Sequence, residues 1–491
     1  MRSLVAEQLP VVVVGGGLSG CACALAMAGR GIPVILFEAG SVLGGRVQSV
    51  NLKGIEQPID NCQHAAFRIY GRFLQLLATC DARGAIKLQK KTKLPYLEVD
   101  KGRISIVKSG SLPPPYHLAM SLMKVNFLSL NDKIPLRKAL KAFKQMDEQK
   151  RRSLDDMPFQ EWLEQNGQTE RTIRRFWDPL VKAALNIGCD EASTSAASFL
   201  FQRGIFGEKD AFDVASFTSD LSNSIAPALR RTLARTGVEV RTSMPVTELF
   251  REERKVTGVM TREGVIPAAA VVLCTPISTT ARLLTGKGAD VGSFEVADRL
   301  ANLGNTALIG IHAFHEGPVL PDGIPFVTCC DEPLIQMLFD RTAELDKEHQ
   351  MGLPGHWITV PVSHADLYLD WDNEMIRNEY ERVVQAAFPN VSRIKEFHVV
   401  RAKRATTALR AGSQRNRPSP LDAGEGVILG GDWLDIDWPS TMEGATRAGL
   451  TAASIIIEQR GDSTIKEWHH DKSWPDWPDA PKRGAENWKE W

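Results

Sequence analysis

The chain lacks both a long apolar run and an excess of one charge. No uninterrupted apolar stretch in its 491 residues reaches about 18 residues, the length that a membrane-spanning helix needs, so no spanning helix is expected. Lys+Arg and Asp+Glu both number 59, which gives no net attraction to nucleic acid. No secretion signal is expected either, because the first apolar strand begins near residue 10. These features predict a cytoplasmic protein that does not bind nucleic acid.

The eight cysteines form no metal-binding pattern. None lies in a C-x-x-C pair, and none clusters with histidine at the spacing of a zinc site. We therefore expect buried, reduced thiols and no metal. An apolar fraction of 43% and a charged fraction of 24% are typical of a globular protein, and the length predicts two or more domains.

The first twenty residues contain a motif that binds phosphate. The four valines Val11–Val14 predict a strand that is buried on both faces. Gly15, Gly17 and Gly20 then follow the pattern G-x-G-x-x-G. In this pattern the first glycine allows a tight turn and the second lets a pyrophosphate approach the backbone, while the third lets helix and strand pack closely.

The elements that follow this motif support its assignment. Residues 18–29 are rich in Ala and Leu and predict a helix whose N-terminus faces the diphosphate. A second apolar strand at 33–37 ends at Glu38, at the position where an acid binds the ribose hydroxyls. Strand, helix, strand and acid in this order indicate a dinucleotide site.

The next segment indicates which nucleotide is bound. Residues 39–46 end in Gly44, Gly45 and Arg46 and resemble the second glycine motif of the flavin-containing amine oxidase and carotenoid desaturase superfamily. In that superfamily the segment wraps the FAD diphosphate, since glycines permit close approach and an arginine fork matches phosphate. Pyridine-nucleotide dehydrogenases do not usually carry it, so the predicted cofactor is FAD. The resemblance also implies that the backbone of Val246 contacts the adenine.

A second, distant motif of the same kind lies at 426–445. A predicted strand ends in Gly431 and Asp432, and a last helix opens after Pro439. Asp432 is expected beside the ribityl chain or the diphosphate. The amides at the start of the helix are expected to face the N1–O2 edge of the flavin, where negative charge collects on reduction. They belong to Met442, Glu443, Gly444 and Ala445.

Further segments narrow the resemblance to one subfamily; they are Asp60–His64, 174–180 with 184–186, and 431–433 with 439–443. Together they resemble the squalene-associated FAD-dependent desaturase family, the hydroxysqualene dehydroxylases of hopanoid biosynthesis. The resemblance implies that reduced FAD gives hydride to hydroxysqualene, an isoprenoid allylic alcohol, to form squalene. The protein would supply orientation, a dry pocket and a proton. Asp60 and His64 are expected to provide that proton or to support its donor.

Other functions remain open. A carotenoid-type desaturase or a flavin amine oxidase would share the FAD framework and run oxidatively, and an amine oxidase usually carries a lysine–water pair and an aromatic cage at the flavin. A non-catalytic lipid-binding protein could share the same fold, but FAD motifs at both ends argue against it. The scattered histidines of the second half are expected to be structural; they are His312, His315, His349, His356, His364 and His398.

The resemblance implies an α/β fold in two domains. The first is a Rossmann-like FAD-binding domain of the amine oxidase and phytoene desaturase type, expected at 8–70, 221–290 and 420–460. The second is a mixed α+β substrate domain with a helical part, expected at 71–220 and 291–419. Residues 461–491 are expected to form an irregular, Trp-rich tail.

A hydrocarbon substrate would be collected at a bilayer, so we expect peripheral attachment at the inner face of the cytoplasmic membrane. The candidate segment is Leu118–Leu130, which is rich in Met, Leu and Phe and has Lys124 as its single charge. A buried helix of the substrate domain is the alternative. Basic residues that follow could face anionic headgroups; they are Lys133, Arg137, Lys138, Lys141 and Lys144.

Overall fold

A computed structural model describes residues 9–461 of the chain, apart from 115, 206 and 208. In this part of the chain the strands are β1 (Val11–Val14), β2 (Val34–Phe37), β3 (Ser49–Val50), β4 (Ile59–Asp60), β5 (Ala65–Phe67), β6 (Ile86–Leu88), β7 (Lys93–Glu98), β8 (Arg103–Lys108), β9 (Val214–Phe217), β10 (Glu239–Arg241), β11 (Glu248–Glu252), β12 (Lys255–Thr261), β13 (Gly264–Pro267), β14 (Ala270–Leu273), β15 (Asn305–His315), β16 (Phe326–Cys330), β17 (Met337–Asp340), β18 (His356–Val362), β19 (Ile394–Thr407) and β20 (Val427–Leu429).

The α-helices of the same part are α1 (Leu18–Ala28), α2 (Gly71–Thr79), α3 (Ala119–Lys124), α4 (Leu130–Gln145), α5 (Glu148–Arg152), α6 (Phe159–Gln165), α7 (Glu170–Thr172), α8 (Asp178–Leu185), α9 (Thr194–Leu200), α10 (Leu221–Arg235), α11 (Ile277–Leu284), α12 (Val291–Leu303), α13 (Arg341–Glu344), α14 (Lys347–Gln350), α15 (Asn373–Ala387) and α16 (Met442–Gln459). Among these described helices, none is both long enough and apolar enough to cross a bilayer.

Five strands form a parallel sheet in the order β10-β2-β1-β14-β20. Alternate valines of β1 enter two different core clusters, one on each side of the sheet, so this strand is buried on both faces as predicted. Helices α1 and α16 lie together on one side and pack closely, since a Cβ on Gly449 would lie only 2.0 Å from the Ser19 carbonyl oxygen. The sheet and its helices confirm the predicted Rossmann-like unit.

Seven strands form a second, mixed sheet in the order β19-β15-β18-β17-β16-β7-β8. All neighbours are antiparallel except β16 and β7. One face packs on α15 through an apolar cluster that includes Ile311 and Tyr380. On the other face Phe314 and Trp357 pack against Ile59. This second face is therefore turned toward the segment that joins β3 to β4.

Helices α4, α6, α8 and α9 surround an aromatic core. The rings of Phe159 and Trp162 stack at 5.8 Å between centroids, and Trp177 meets Phe201 edge-on at 4.8 Å. Residues 173–177 and 201–205 are π-helical, and local widening of this kind lets bulky side chains turn into a core. Ile173, Phe176, Trp177 and Leu180 recur at helical spacing and are part of this core, so these side chains serve packing.

The segment expected at the membrane is only partly exposed. Within Leu118–Leu130, Phe127 is only 1% exposed and stacks on a buried tyrosine. The ammonium of Lys133 donates to the carbonyls of Met123, at 3.0 Å, and Val125, at 2.7 Å. The prediction is therefore wrong for Phe127, which fills the core, and for Lys133, which satisfies carbonyls near the end of α3 rather than lipid headgroups.

Helix α2 does not follow the expected boundary between the two domains at residues 70 and 71. Its apolar side chains belong to the same core as α1 and α16, because Gly71–Thr79 packs directly against the last helix. The eight cysteines are free thiols, and seven of them are buried. The tail from residue 462 onward lies outside the described residues.

Candidate functional site

The two N-terminal glycine motifs lie against each other. The Gly44 N–H donates to the Gly16 carbonyl at 2.9 Å, and Gly17 pairs with Gly44 as in a parallel bridge. Gly45 has a φ of +63°, and a Cβ built on it would lie 3.0 Å from the Gly17 Cα. The approach of these two backbones leaves no room for a side chain on Gly45 and joins the motifs into one surface.

The turn between β1 and α1 is compact for the same steric reason. Gly15 has a φ of +110°, which disfavours any residue with a side chain. A Cβ on Gly20 would lie 1.8 Å from the Gly15 carbonyl oxygen. In contrast, a Cβ on Gly17 would have only the Gly45 Cα within 4 Å, at 3.8 Å. The first and third glycines therefore close the turn, whereas the second borders open space.

That open space fits the diphosphate of FAD. Gly17 is the N-cap of α1 and offers no side chain to its first N–H groups. Such N–H groups and the positive end of the helix dipole bind phosphate oxygens. The chain thus presents unsatisfied donors and a side-chain-free cradle at the same place, which is what the predicted role of Gly15, Gly17, Gly44 and Gly45 requires.

Glu38 lies at the edge of this cradle. Its carboxylate accepts the N–H of Gly16 at 2.7 Å and the N–H of Gly40 at 2.6 Å. The Met244 N–H donates to the Glu38 carbonyl at 2.9 Å, which brings the buried Val246 to the same edge of the sheet. Glu38 and Val246 therefore lie together where the adenosine part of FAD is expected, although their contacts with it stay a prediction.

Arg46 joins the glycine motifs to the distant C-terminal motif. Its guanidinium lies 2.5 Å from the Asp432 carboxylate and 2.8 Å from the Ala405 carbonyl. The Ser440 hydroxyl also donates to Asp432. At the neighbouring Gly431, any Cβ would overlap the Trp433 indole. The structure thus brings Arg46, Gly431 and Asp432 to one edge of the cradle, as the FAD motifs require.

The start of α16 completes this edge. The Thr441 hydroxyl caps the helix by accepting the Gly444 N–H at 3.1 Å, and a Cβ on Gly444 would lie 2.1 Å from the Pro439 carbonyl oxygen. Met442 and Ala445 belong to the same turn as these residues. The backbone at the start of α16 is thereby held in one conformation.

Glu443 points away from this edge. Its side chain is 0% exposed, and its carboxylate accepts the Phe73 N–H at 2.8 Å and the Arg447 guanidinium at 2.6 Å. The carboxylate therefore caps α2 and ties it to α16. Glu443 fixes the loop that carries the expected flavin contacts through its backbone, and its carboxylate is fully used in doing so.

Asp60 is held by structural contacts. Its carboxylate accepts the Ser49 hydroxyl and the Leu221 N–H, both at 2.9 Å, and the Arg341 guanidinium at 3.2 Å. A carboxylate that accepts from three donors has its oxygens occupied as hydrogen-bond acceptors. Asp60 was expected either to provide the proton or to support its donor. The second role fits these contacts better, because Asp60 positions Arg341 and the start of α10.

His64 lies at the other end of this loop. Its Nδ1 is 2.9 Å from the Cys62 carbonyl oxygen, so Nδ1 carries the proton. Burial lowers the pKa of His64 below its ordinary value, although Asp60 and the Cys62 carbonyl oppose this. The imidazole is therefore neutral at pH 7, and it accepts rather than donates at its other nitrogen.

The second sheet presents a row of polar side chains toward this loop. The strand register places His312 of β15 directly between His398 of β19 and Thr359 of β18, and we call these three residues the polar row. A Cβ on Gly310 would lie 2.7 Å from the Asn61 carbonyl oxygen and 3.2 Å from His312 Nε2. His312, the middle residue of the polar row, therefore lies close to the backbone of Asn61.

His312 is fully buried, and one of its nitrogens has no partner. The Trp357 indole N–H donates to Nδ1 at 3.3 Å, so the proton of the neutral ring lies on Nε2. Burial lowers the pKa of His312 to about 3, with smaller contributions from His398 and Arg341. No group among the described residues hydrogen-bonds to Nε2. An unsatisfied buried donor costs about 1–3 kcal/mol, so this N–H is a candidate contact for a ligand atom.

Glu344 adds a group that can carry a proton. Burial raises its pKa from 4.5 to about 7, against the effect of Arg341, which lies 3.6 Å away. The carboxyl accepts the Gln63 side chain at 3.1 Å, and the Arg341 guanidinium lies 5.7 Å over the Trp357 ring. Glu344 therefore lies beside the same arginine whose charge contributes to lowering the pKa of His312.

Neither Arg341 nor Glu344 was predicted from the sequence, and His312 was expected to be structural. Three of the other second-half histidines have clear polar partners: His315 contacts the Ser392 carbonyl and the Tyr380 hydroxyl, His356 the Asp340 carboxylate and His364 the Glu191 carboxylate. One ring nitrogen of His349 and one of His398 lack a hydrogen bond among the described residues, like Nε2 of His312. The only sequence signal was a histidine on each of two apolar strands. Lys133 is the one buried lysine of the described residues, and it contacts the backbone carbonyls of Met123 and Val125.

Known proteins with similar sequences support an FAD site. The family model described as "Flavin containing amine oxidoreductase" matches residues 18–457. A hydroxysqualene dehydroxylase from Zymomonas mobilis is 23% identical over 461 residues, covering 91% of this chain and 98% of that protein. A zeta-carotene desaturase from Zea mays is 23% identical over 488 residues, covering 91% of this chain and 83% of that protein.

A solved structure shows the same fold. Cyclohexylamine oxidase from Brevibacterium oxydans matches with a TM-score of 0.67 and 17% identity, and the match covers 92% of this chain and 99% of that one. At this identity the likeness concerns the fold alone. The architecture is therefore that of an FAD-dependent oxidoreductase, as the resemblance implied.

Proposed function

Because the chain belongs to the family of flavin-containing amine oxidoreductases, we propose that it reduces hydroxysqualene to squalene. In this reaction the allylic C–O bond breaks, the oxygen takes a proton and leaves as water, and the carbon takes a hydride. Relatives named hydroxysqualene dehydroxylase from three bacteria, each 23% identical over 91% of this chain, support the proposal. So do the segments Asp60–His64 and 174–180.

FAD is the cofactor, as predicted, and in its reduced form it supplies the hydride. The cradle of Gly17 and Gly45 would hold the diphosphate, and Glu38 the adenosine ribose. Arg46 and Asp432 would hold the part between the two rings. The backbone at the start of α16 would bind the N1–O2 edge, with Glu443 keeping that turn in place.

The observation that carries the proposal is the unpartnered Nε2–H of His312. An alcohol oxygen that leaves as water needs a hydrogen-bond donor and a proton, whereas removing hydrogen from a hydrocarbon needs neither on the protein. A neutral imidazole with its proton fixed on Nε2 is such a donor, and Trp357 fixes it. Thr359 and His398 extend this polar surface on either side of His312.

Glu344 is the proton source in this proposal. Its raised pKa keeps about half of the carboxyl groups protonated near pH 7, and Arg341 stabilises the anion after the proton has left. Asp60 keeps Arg341 in place through the contact at 3.2 Å. The chain's own residues thus orient the hydroxyl, supply its proton and keep the resulting charge paired.

The alternatives have less support. A flavin amine oxidase usually uses a lysine at the flavin, and the only buried lysine of the described residues is Lys133. A carotenoid-type desaturase is the second candidate, because the maize relative matches with the same 23% identity. A non-catalytic lipid-binding protein would not need the cradle of unsatisfied donors at Gly17.

The two candidates are separated by product analysis. The FAD-loaded protein is reduced without oxygen and incubated with hydroxysqualene, and the oxidised protein is incubated with zeta-carotene under otherwise equal conditions. We expect squalene in the first reaction and unchanged zeta-carotene in the second. Desaturated products from zeta-carotene, with hydroxysqualene recovered intact, would contradict the proposal and favour the desaturase.

A further inference from the structure

Exposed apolar side chains are concentrated in one short part of the chain. Seven of the sixteen large apolar side chains that are exposed in the described residues come from residues 106–134. Scattered exposed apolar residues need no explanation, but a contiguous group marks an interaction site. We call this group the apolar patch; it consists of Ile106, Leu112, Tyr116, Met120, Met123, Leu130 and Ile134.

The elements that carry the apolar patch are joined to one another. The Ser121 hydroxyl of α3 accepts the Lys108 N–H of β8 at 3.0 Å. Lys133 of α4 donates to the carbonyls of Met123 and Val125 at the end of α3. Strand β8 is also the edge strand of its sheet. The end of β8, α3 and the start of α4 therefore form one surface of the protein.

The stretch of chain that forms this surface has an excess of positively charged residues. The whole chain is balanced at 59 basic and 59 acidic residues, yet residues 104–146 hold seven Lys and Arg and one acid, Asp132. Asp132 is buried and closes the N-terminus of α4 through Ser129. Six of the seven cations are exposed, and we call them the basic rim; they are Lys108, Lys124, Arg137, Lys138, Lys141 and Lys144.

Helix geometry places the basic rim beside the apolar patch. On α4, Leu130, Ile134, Lys138 and Lys141 recur at intervals of three and four residues and so lie along one face. Met120 and Met123 are three residues apart on α3, 61% and 49% exposed. Apolar side chains bordered by lysines on a surface element are the arrangement of helices that lie in the plane of a membrane interface.

We propose that this surface docks on an anionic bilayer. The apolar patch enters the boundary between headgroups and acyl chains, and the basic rim binds the anionic headgroups. A second copy of this chain is the less suitable occupant, because a symmetric contact through the same surface would bring two basic rims together. The inference does not depend on which substrate the enzyme uses.

Vesicle flotation of the FAD-loaded protein tests this proposal. Vesicles of phosphatidylcholine with phosphatidylglycerol are compared with vesicles of phosphatidylcholine alone, at low and high salt. We expect flotation with the anionic vesicles, at least about tenfold less with the neutral ones, and a decrease at high salt because the headgroup contacts are screened. Protein that stays unbound with anionic vesicles at low salt would overturn the proposal.

Paired substitutions locate the contact. M120D/M123D should abolish flotation while the flavin spectrum and the melting temperature stay unchanged. The matched control is F294D/M375D, which places the same charges at side chains that are 51% and 47% exposed elsewhere. Similarly, K141E/K144E should weaken flotation more than K347E/K395E, whose lysines are exposed outside the basic rim.

Two results of this series would contradict the proposal. M120D/M123D that floats like the wild type would show that the apolar patch does not enter the bilayer. A wild type that dimerises in solution and becomes monomeric in M120D/M123D, without flotation in either form, would show that the patch is an interface between copies. Flotation of the wild type and of the variants is measured with FAD bound. The test therefore remains valid even if the protein does not reduce hydroxysqualene.

Discussion

The indole N–H of Trp357 donates to Nδ1 of His312 at 3.3 Å, and this contact determines which nitrogen of the imidazole is protonated. Replacing Trp357 by Phe would keep the stack with Phe314 and remove the donor. The ring could then place its proton on either nitrogen. We expect W357F to lower the turnover number about tenfold, which corresponds to about 1.4 kcal/mol, with little change in KM. W371F, a partly buried tryptophan of the other face, serves as control; equal losses in both variants would contradict the role of Trp357.

A second prediction concerns Gly17. Its backbone has a φ of −73°, which alanine adopts, and its Cβ would meet nothing closer than 3.8 Å. The FAD-free G17A protein should therefore fold with a free energy of unfolding within about 1 kcal/mol of the wild type. The new methyl group would occupy the diphosphate cradle, so the Kd for FAD should rise at least about tenfold.

The matched comparison for this variant is G20A. There the Cβ would lie 1.8 Å from the Gly15 carbonyl oxygen, so the protein itself should be destabilised by about 1–3 kcal/mol or more. Thermal unfolding without FAD and titration with FAD separate the two effects. G17A that binds FAD like the wild type would show that the diphosphate lies elsewhere.

Asp432 provides a third prediction. Asn at this position keeps the shape but removes the charge that faces Arg46 at 2.5 Å. Hydrogen bonds to charged groups contribute about 1.5–3 kcal/mol, and Arg46 must stay in place to hold FAD. D432N should therefore lose FAD on gel filtration, with an increase in Kd of about tenfold or more. D422N, which changes a more exposed carboxylate that pairs with Arg299, should retain it.

The pH dependence follows from Glu344. The fold raises its pKa from 4.5 to about 7, so between these values the folded protein binds a proton that the unfolded chain has released. This contribution to stability is complete below pH 4.5 and is lost as the pH rises through 7. Activity should fall over the same upper range, since the proton donor is lost.

E344Q tests both halves of this prediction. Glutamine is neutral at all pH values, so the stability of E344Q should decrease less than that of the wild type between pH 5 and pH 8. Its activity should be low at every pH, because an amide cannot replace the acid. An unchanged activity profile with the same midpoint would show that the observed titration belongs to another group.

The cradle could be predicted from the sequence because its requirements are local. Gly15, Gly17 and Gly20 lie within one turn, and Glu38 ends the next strand, so short-range sterics determine all four positions. Asp432 was also found, since a strand that ends in glycines and an acid is itself a local pattern. Arg46 was also predicted as an FAD-binding residue, but its contact with Asp432 at 2.5 Å was not predicted.

The polar row could not be predicted in this way. His312, Thr359 and His398 lie on three strands, and their meeting depends on sheet register. The partnerless Nε2 and the raised pKa of Glu344 depend on burial, which local patterns do not give. Asp60 was identified as an acid or its support; its pairing with Arg341, 281 residues away, is what favours the supporting role.

The most direct test of the central claim is a single turnover followed by flavin absorbance. Reduced, FAD-loaded enzyme is mixed with hydroxysqualene without oxygen, and the squalene formed is measured by mass spectrometry. We predict that the flavin reoxidises with one squalene per flavin, and that His312→Phe, which keeps the ring but removes the Nε2–H, reoxidises at least about a hundredfold more slowly, a loss of about 2.7 kcal/mol. Wild-type flavin that stays reduced in the presence of hydroxysqualene, or His312→Phe that reoxidises at the wild-type rate, would contradict the account.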